Sequence, residues 1–238
     1  MTIKAILFDK DGTLIDFSGT FAPATTLVIH DLAGGNNNKA EELAAVLKFD
    51  LATEAFDTNS VLIAGSLENI AQAVLSHMDG YDLAGLITQI AQLYDQHSLA
   101  SLSPFPELLP ALDELAALGL PLGIATNDAE HTAIIHMEAL GLKDRFSYIA
   151  GFDSGYGEKP GPGMVEGFID KTGFEAKQTV MVGDSLTDCK AGRTAGAVVV
   201  AVTSGLADAA TLSPHADHVL SSIGELPALI ATLNGSEK

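Results

Sequence analysis

The chain has 238 residues, 47% of them hydrophobic, and carries 12 basic against 31 acidic residues for a formal net charge of −19. So acidic a surface repels nucleic acid and anionic membranes and excludes both as partners; an anion site would have to be built locally, by a metal, a lysine or helix N-termini. A single cysteine, Cys189, excludes an intramolecular disulfide, and the length fits one or two domains that need no staples.

In chain order, Ile3 to Phe8 is a short apolar run with one lysine, the pattern of a central parallel strand. It ends abruptly in Asp9-Lys10-Asp11-Gly12-Thr13-Leu14. No basic stretch with an apolar signal core precedes it, and no apolar run approaches ~18 residues, so a cytoplasmic protein is expected. Residues near 20–33 read as a helix that stops at Gly34-Gly35, and the Asn run after it as a loop. A second helix covers Lys39 to about Lys48, and a shorter element lies near 51–57. Ser66 caps a helix to about His77, and Asp82 caps another to about Ala100. The stretch from 17 to 101 thus reads as all-helical.

From Glu107 onward the pattern alternates. Helices are predicted over Glu107–Leu118, Ala129–Leu140, Pro162–Thr172, Leu186–Ala195 and Ile223–Leu233. Strands are predicted over Leu120–Ala125, Phe146–Ala150, Thr179–Val182, Ala197–Val202 and His218–Leu220. The tail from Asn234 to Lys238 is expected to fray. Strands separated by helix-length segments imply βαβ units and a parallel sheet. The simplest architecture is α/β: a doubly wound, Rossmann-like parallel sheet built from residues 1–16 and 103–238. Residues 17–102 interrupt it after the first strand as an inserted helical cap.

Charge at the end of an apolar strand must meet solvent, a metal or a ligand, and ligands of open α/β sheets bind at that edge. Asp9 and Asp11 repel each other unless something compensates them. A divalent cation does so, and oxygen ligands suit Mg²⁺, which binds phosphate oxygens beside one or two carboxylates. Gly12 permits close backbone approach, and Thr13 offers a hydroxyl. Other strand ends carry matching groups: Thr126 and Asn127 after one, Lys159 in the loop after the next, and Asp184, Ser185 and Asp188 after another. One helical turn brings Asp184 and Asp188 together. Singly, Thr126 also reads as a turn residue, Lys159 as a solvated loop lysine, and Asp184 with Asp188 as a helix start. Together they put a hydroxyl, an ammonium and several carboxylates on one edge of a parallel sheet. If strand alternation continues, Lys10 points away from that edge, and no role is assigned to it.

The string Phe8-Asp9-Lys10-Asp11-Gly12-Thr13-Leu14, followed in order by Thr126, Lys159-Pro160 and Gly183-Asp184-Ser185-Leu186-Thr187-Asp188, resembles the four motifs of the haloacid dehalogenase superfamily in its phosphatase form. The helical insert is similar to the cap of the phosphoglycolate phosphatase and β-phosphoglucomutase group. The resemblance implies Mg²⁺-dependent hydrolysis of a small phosphomonoester, phosphoglycolate-like or sugar-phosphate-like, through an aspartyl-phosphate. It implies that Asp9 is the nucleophile and a metal ligand. Asp11 is then the general acid and base, and its backbone carbonyl a further ligand. Thr126 and the Asn127 backbone hold the phosphoryl group, Lys159 neutralises Asp9 and the phosphoryl oxygens, and Asp184 ligates the metal. Asp188 supports the site from close by, outside the metal's direct ligands, and Thr13 supports it as well. Dehalogenases that resemble this chain lack an acid at the position of Asp11, so Asp11 argues for phosphate esters. The implied partner is a small phosphorylated metabolite, and the implied assembly a monomer or homodimer.

Two other classes stay open. A phosphomutase uses the same two carboxylates, and a phosphometabolite-binding protein would keep the fold without turnover, although the full residue set argues against the latter. Between 17 and 103 the basic residues are Lys39 and Lys48, against ten acidic ones. Such a lid offers little to a second strong anion, which leaves a sugar phosphate as admissible as phosphoglycolate. His30, His77 and His97, in the same stretch, have no metal-site spacing.

Overall fold

The structure is a computed structural model that describes residues 2–235; Ser236 to Lys238, the end of the tail expected to fray, lie outside the described residues. The chain forms two compact units, Met1–Asp16 with Pro104–Lys238, and Phe17–Ser103.

The first unit opens with β1 (Ala5–Phe8), whose four residues are all buried. The second unit follows. It contains α1 (Phe17–Leu32), α2 (Asn37–Leu47), β2 (Phe49–Asp50), β3 (Ala55–Phe56), α3 (Val61–Ala64), α4 (Leu67–Val74) and α5 (Leu83–Ala100). Ser66 caps α4 reciprocally with Asn69, and the Asp82 carboxylate caps α5 through the Gly85 N–H. The expectation of an all-helical segment needs one correction. β2 and β3 form a small antiparallel hairpin in which Phe49 pairs with Phe56, their rings 5.1 Å apart. Asp50 Oδ1 closes its turn by accepting from the Ala52 and Thr53 N–H groups at 2.8 and 3.1 Å. Strands of two residues carry no alternation, so this pairing leaves no periodic trace in the sequence.

The chain returns to the first unit with α6 (Leu108–Ala117), β4 (Leu122–Ala125), α7 (Glu130–Ala139), β5 (Phe146–Ala150), α8 (Gly163–Thr172), β6 (Thr179–Gly183), α9 (Leu186–Ala195), β7 (Val198–Val202), α10 (Ala209–Leu212), β8 (His218–Leu220) and α11 (Leu226–Gly235). The six strands outside the hairpin form one sheet in the order β5-β4-β1-β6-β7-β8, with every pair parallel. β1, β4, β6 and β7 are buried throughout, which is why they read as near-continuous apolar runs. Ala5 and Leu7 of β1 pack in one cluster with Met164, Val165 and Phe168 of α8 and Ala191 of α9. Leu7 lies opposite Gly123 of β4 on one side and Met181 of β6 on the other. The carboxyl ends of β1, β4 and β6 therefore lie side by side, and the chain turns polar at all three. Among the described residues no helix is long and apolar enough to cross a membrane.

Candidate active site

Asp9, one residue past β1, is 6% exposed, and the adjacent ends of β6 and α9 supply Asp184 and Asp188, at 8% and 1%. One carboxylate oxygen from each of the three lies within 4.8 Å of the others. Lys159 reaches into this group from the loop after β5. Its ammonium donates to Asp9 Oδ1 at 2.5 Å and to the Ala125 carbonyl at 2.8 Å, and lies 2.6 Å from Asp188 Oδ1. The Asn127 side chain fixes the lysine's backbone from both sides. Its amide donates to the Lys159 carbonyl at 2.8 Å, and its oxygen accepts from the Lys159 N–H at 2.7 Å. Asp188 is held in turn by Ser185, whose N–H and hydroxyl both bond its Oδ2, at 3.1 and 2.5 Å. Asp188 thus stands within the carboxylate cluster itself.

Asp184 has no ion-pair partner among the described residues. Its Oδ2 accepts a long bond from the Leu206 N–H at 3.3 Å. Two glycines press against it: an added Cβ would stand 2.5 Å from its Oδ2 at Gly12 and 1.8 Å from it at Gly205. Gly12 also adopts a φ of +83°, open to glycine without strain. Ser204 Oγ, beside Gly205, donates to the Gly12 carbonyl at 2.7 Å and ties the two loops together.

The charges in this cluster do not balance. Three carboxylates share one ammonium. Burial pushes the Asp9 carboxyl well above the usual carboxylate range; Lys159 opposes that and Asp188 adds to it. Burial, with Asp188 second, pushes Asp184 up to about 7. Burial pulls Lys159 down, but Asp188 and Asp9 outweigh it and leave the ammonium firmly charged. A buried, oxygen-only group short of positive charge, with one carboxylate lacking a cation, fits a divalent metal. Asp9, Asp184 and Asp188 supply the carboxylates that could hold it.

The Asp11 carboxylate, 19% exposed, faces elsewhere. Its Oδ1 accepts from Lys10 Nζ at 2.6 Å, and Thr126 Oγ1 lies 3.4 Å from its Oδ2. Lys10 is wholly buried. Its ammonium also lies 3.1 Å from Asp128 Oδ2 and 3.2 Å from His136 Nδ1 on α7. Burial pulls the Lys10 ammonium down, and Asp11 and Asp128 more than reverse it. Burial pulls His136 down to about 3, with Lys10 assisting, so the ring is neutral and can accept from the ammonium. Thr126 Oγ1 accepts from the Asp128 N–H at 3.0 Å, which folds the turn after β4 onto itself. Thr13 is buried, and its hydroxyl has no hydrogen-bond partner among the described residues.

The structure therefore brings Asp9, Asp11, Thr126, Asn127, Lys159, Asp184 and Asp188 to one sheet edge. Two parts of this edge are not assigned by sequence reasoning. The Ser204-Gly205 turn reads as an ordinary loop. Lys10 reads as a residue turned away from the site, yet a lysine pointed into a sheet face must find buried partners, and that was the available signal for Asp128 and His136.

A family model described as haloacid dehalogenase-like hydrolase matches residues 3–196 of the chain. A protein of Chromobacterium violaceum named phosphoglycolate phosphatase is 31% identical over 229 residues, covering 94% of this chain and 95% of its own. A protein of the same name from Rhodospirillum rubrum is 33% identical over 205 residues, covering 85% and 80%. Among solved structures, a Haemophilus somnus protein described as a predicted phosphoglycolate phosphatase superposes with a TM-score of 0.74 at 20% identity, over 96% of this chain and 98% of that one.

Proposed function

The chain belongs to the haloacid dehalogenase-like hydrolase family, and on that premise we propose that it is an Mg²⁺-dependent phosphatase that hydrolyses a small phosphomonoester through a phosphorylated Asp9. The observation that carries this reading is the buried Lys159 ammonium 2.5 Å from Asp9 Oδ1, inside a cluster that still lacks positive charge. Asp9, Asp184 and Asp188 would hold the metal, with the Asp11 backbone carbonyl as a further ligand on the family resemblance, and it would supply charge neutralisation to the phosphoryl oxygens and the attacking carboxylate.

The remaining work belongs to the chain's own groups. Lys159 holds Asp9 against Asp188 and offsets charge on the phosphoryl group, where positioning and electrostatics supply most of the catalysis. The Thr126 hydroxyl and the Asn127 N–H hold the phosphoryl oxygens. An Asp9 oxygen bonds to phosphorus, and the ester P–O bond breaks with its electron pair on the leaving oxygen. Asp11 Oδ2 gives that oxygen a proton. In the second half-reaction a water oxygen bonds to phosphorus, its proton passes to Asp11 Oδ2, and the electron pair of the Asp9–phosphorus bond returns to Asp9. Burial raises the Asp11 carboxyl against the opposing pull of Lys10, in the direction an acid needs.

Substrate choice falls in this reading to the unit Phe17–Ser103. The relatives' names make phosphoglycolate the first compound to try. The scarcity of cations in that unit, Lys39 and Lys48 alone, supports sugar phosphates beside it. The test is phosphate release from a panel of small phosphomonoesters, with and without Mg²⁺, beside Asp9→Asn. Metal-dependent release that Asp9→Asn abolishes supports the proposal. Release that survives Asp9→Asn overturns it.

A further inference from the structure

Lys10 sits between the two carboxylates of the first motif and belongs to neither the metal cluster nor the phosphoryl cradle. It is wholly buried, and burying an ammonium is costly unless it is paired and hydrogen-bonded. The pairing is specific. Asp11 Oδ1 lies 2.6 Å away, Asp128 Oδ2 3.1 Å away and His136 Nδ1 3.2 Å away. These groups come from three different places: the turn after β1, the turn after β4, and α7. The turn after β4 also holds Thr126, whose hydroxyl faces Asp11 Oδ2 at 3.4 Å.

We propose that Lys10 is a positioning residue for the acid–base step. It anchors Asp11 by Oδ1 so that Oδ2 is the oxygen presented to the leaving group and, later, to water. The proposal rests on the reading of Asp11 as general acid and base.

A carboxyl group free to rotate about its last side-chain bond presents either oxygen and loses the aligned geometry that proton transfer requires. The ammonium removes that freedom. It occupies Oδ1 as a charge-assisted acceptor, which leaves Oδ2 as the oxygen that gives a proton to the ester oxygen and takes one from water. Asp128 and His136 hold the ammonium from its other sides. By bridging Asp11 to Asp128, Lys10 also fixes the spacing between the acid and the Thr126 turn. A lysine present only to neutralise the interior would stabilise the fold without distinguishing among leaving groups.

Leaving-group dependence separates the two roles. Phosphorylation of Asp9 by 4-nitrophenyl phosphate expels a stable phenolate that needs no proton, whereas an alkyl phosphate expels an alkoxide that does. The wild type, Lys10→Met and Asp11→Asn are compared on 4-nitrophenyl phosphate in rapid-mixing experiments. In parallel they are assayed on the alkyl phosphate that the wild type hydrolyses fastest. Because Lys10→Met leaves Asp128 without its cation, Lys10→Met/Asp128→Asn is measured beside it, with thermal melts of both.

The expected result is a nitrophenolate burst within about threefold of the wild-type rate in Lys10→Met. Alkyl-phosphate kcat falls by about 10²-fold, the size of a general-acid contribution, with KM little changed. Lys10→Met in the Asp11→Asn background adds no further loss. Burst rate and alkyl-phosphate kcat falling by the same factor, or neither falling, would overturn the proposal. If Asp11→Asn itself spares alkyl phosphates, the acid–base reading fails first and this inference with it. If Asp11→Asn is selective and Lys10→Met is not, only this inference fails.

Discussion

Gly205 lies against the carboxylate of Asp184 so closely that a Cβ there would stand 1.8 Å from Oδ2. Asp184 is the one carboxylate of its cluster without an ion-pair partner among the described residues. A backbone without a side chain at this point leaves room for the Asp184 carboxylate, one of whose oxygens lies within 4.8 Å of oxygens of Asp9 and Asp188.

Gly205→Ala is accordingly expected to displace Asp184 while leaving the sheet intact. Metal affinity should fall by about 10- to 100-fold, as for other losses of a group supporting a ligand. A calorimetric Mg²⁺ titration measures it, with circular dichroism as the check on folding. An unchanged affinity would mean that Asp184 does not hold the metal, or that the turn relaxes freely.

The same residue gives a pH signature without metal. Burial and Asp188 raise Asp184 from 3.8 to about 7. Between those values the folded protein keeps a proton that the unfolded chain has released. Stability therefore falls as pH rises through this window, because the folded state binds more protons there. In a chelator, the melting temperature of the wild type should decline from the acid to the neutral end relative to Asp184→Asn, and Mg²⁺ should remove the decline. A wild-type curve parallel to that of Asp184→Asn would contradict the charge imbalance inferred for the site.

Much of this site is legible in the sequence because it sits where hydrophobicity stops. Asp9 and Asp184 each end a buried apolar strand, and charge in that position has few physical explanations. Asp188 follows from the helical period. Lys159 is visible by type and order alone, since nothing local says that a loop lysine folds inward to 4% exposure. Lys10 shows the limit more sharply. Alternation turns it from the catalytic edge, but its partners come from Asp128 and His136, 118 and 126 positions along the chain. The Ser204-Gly205 turn has the composition of any surface loop. The hairpin of Phe49 and Phe56 is too short for periodicity, and the four-residue helix α10 has too few turns to show a face.

Whether Asp9 carries the phosphoryl group is tested most directly by trapping it. Asp11→Asn keeps Asp9, Lys159 and the carboxylate cluster but lacks the carboxyl proposed to activate water. Mixed with 4-nitrophenyl phosphate and Mg²⁺, it should release about one equivalent of nitrophenolate and then slow sharply. Acid quench and mass spectrometry should find one phosphoryl group on the chain, mapped to Asp9. Steady nitrophenolate release without an adduct, from folded and metal-bound protein, would mean that water attacks the ester directly and that Asp9 is not the nucleophile.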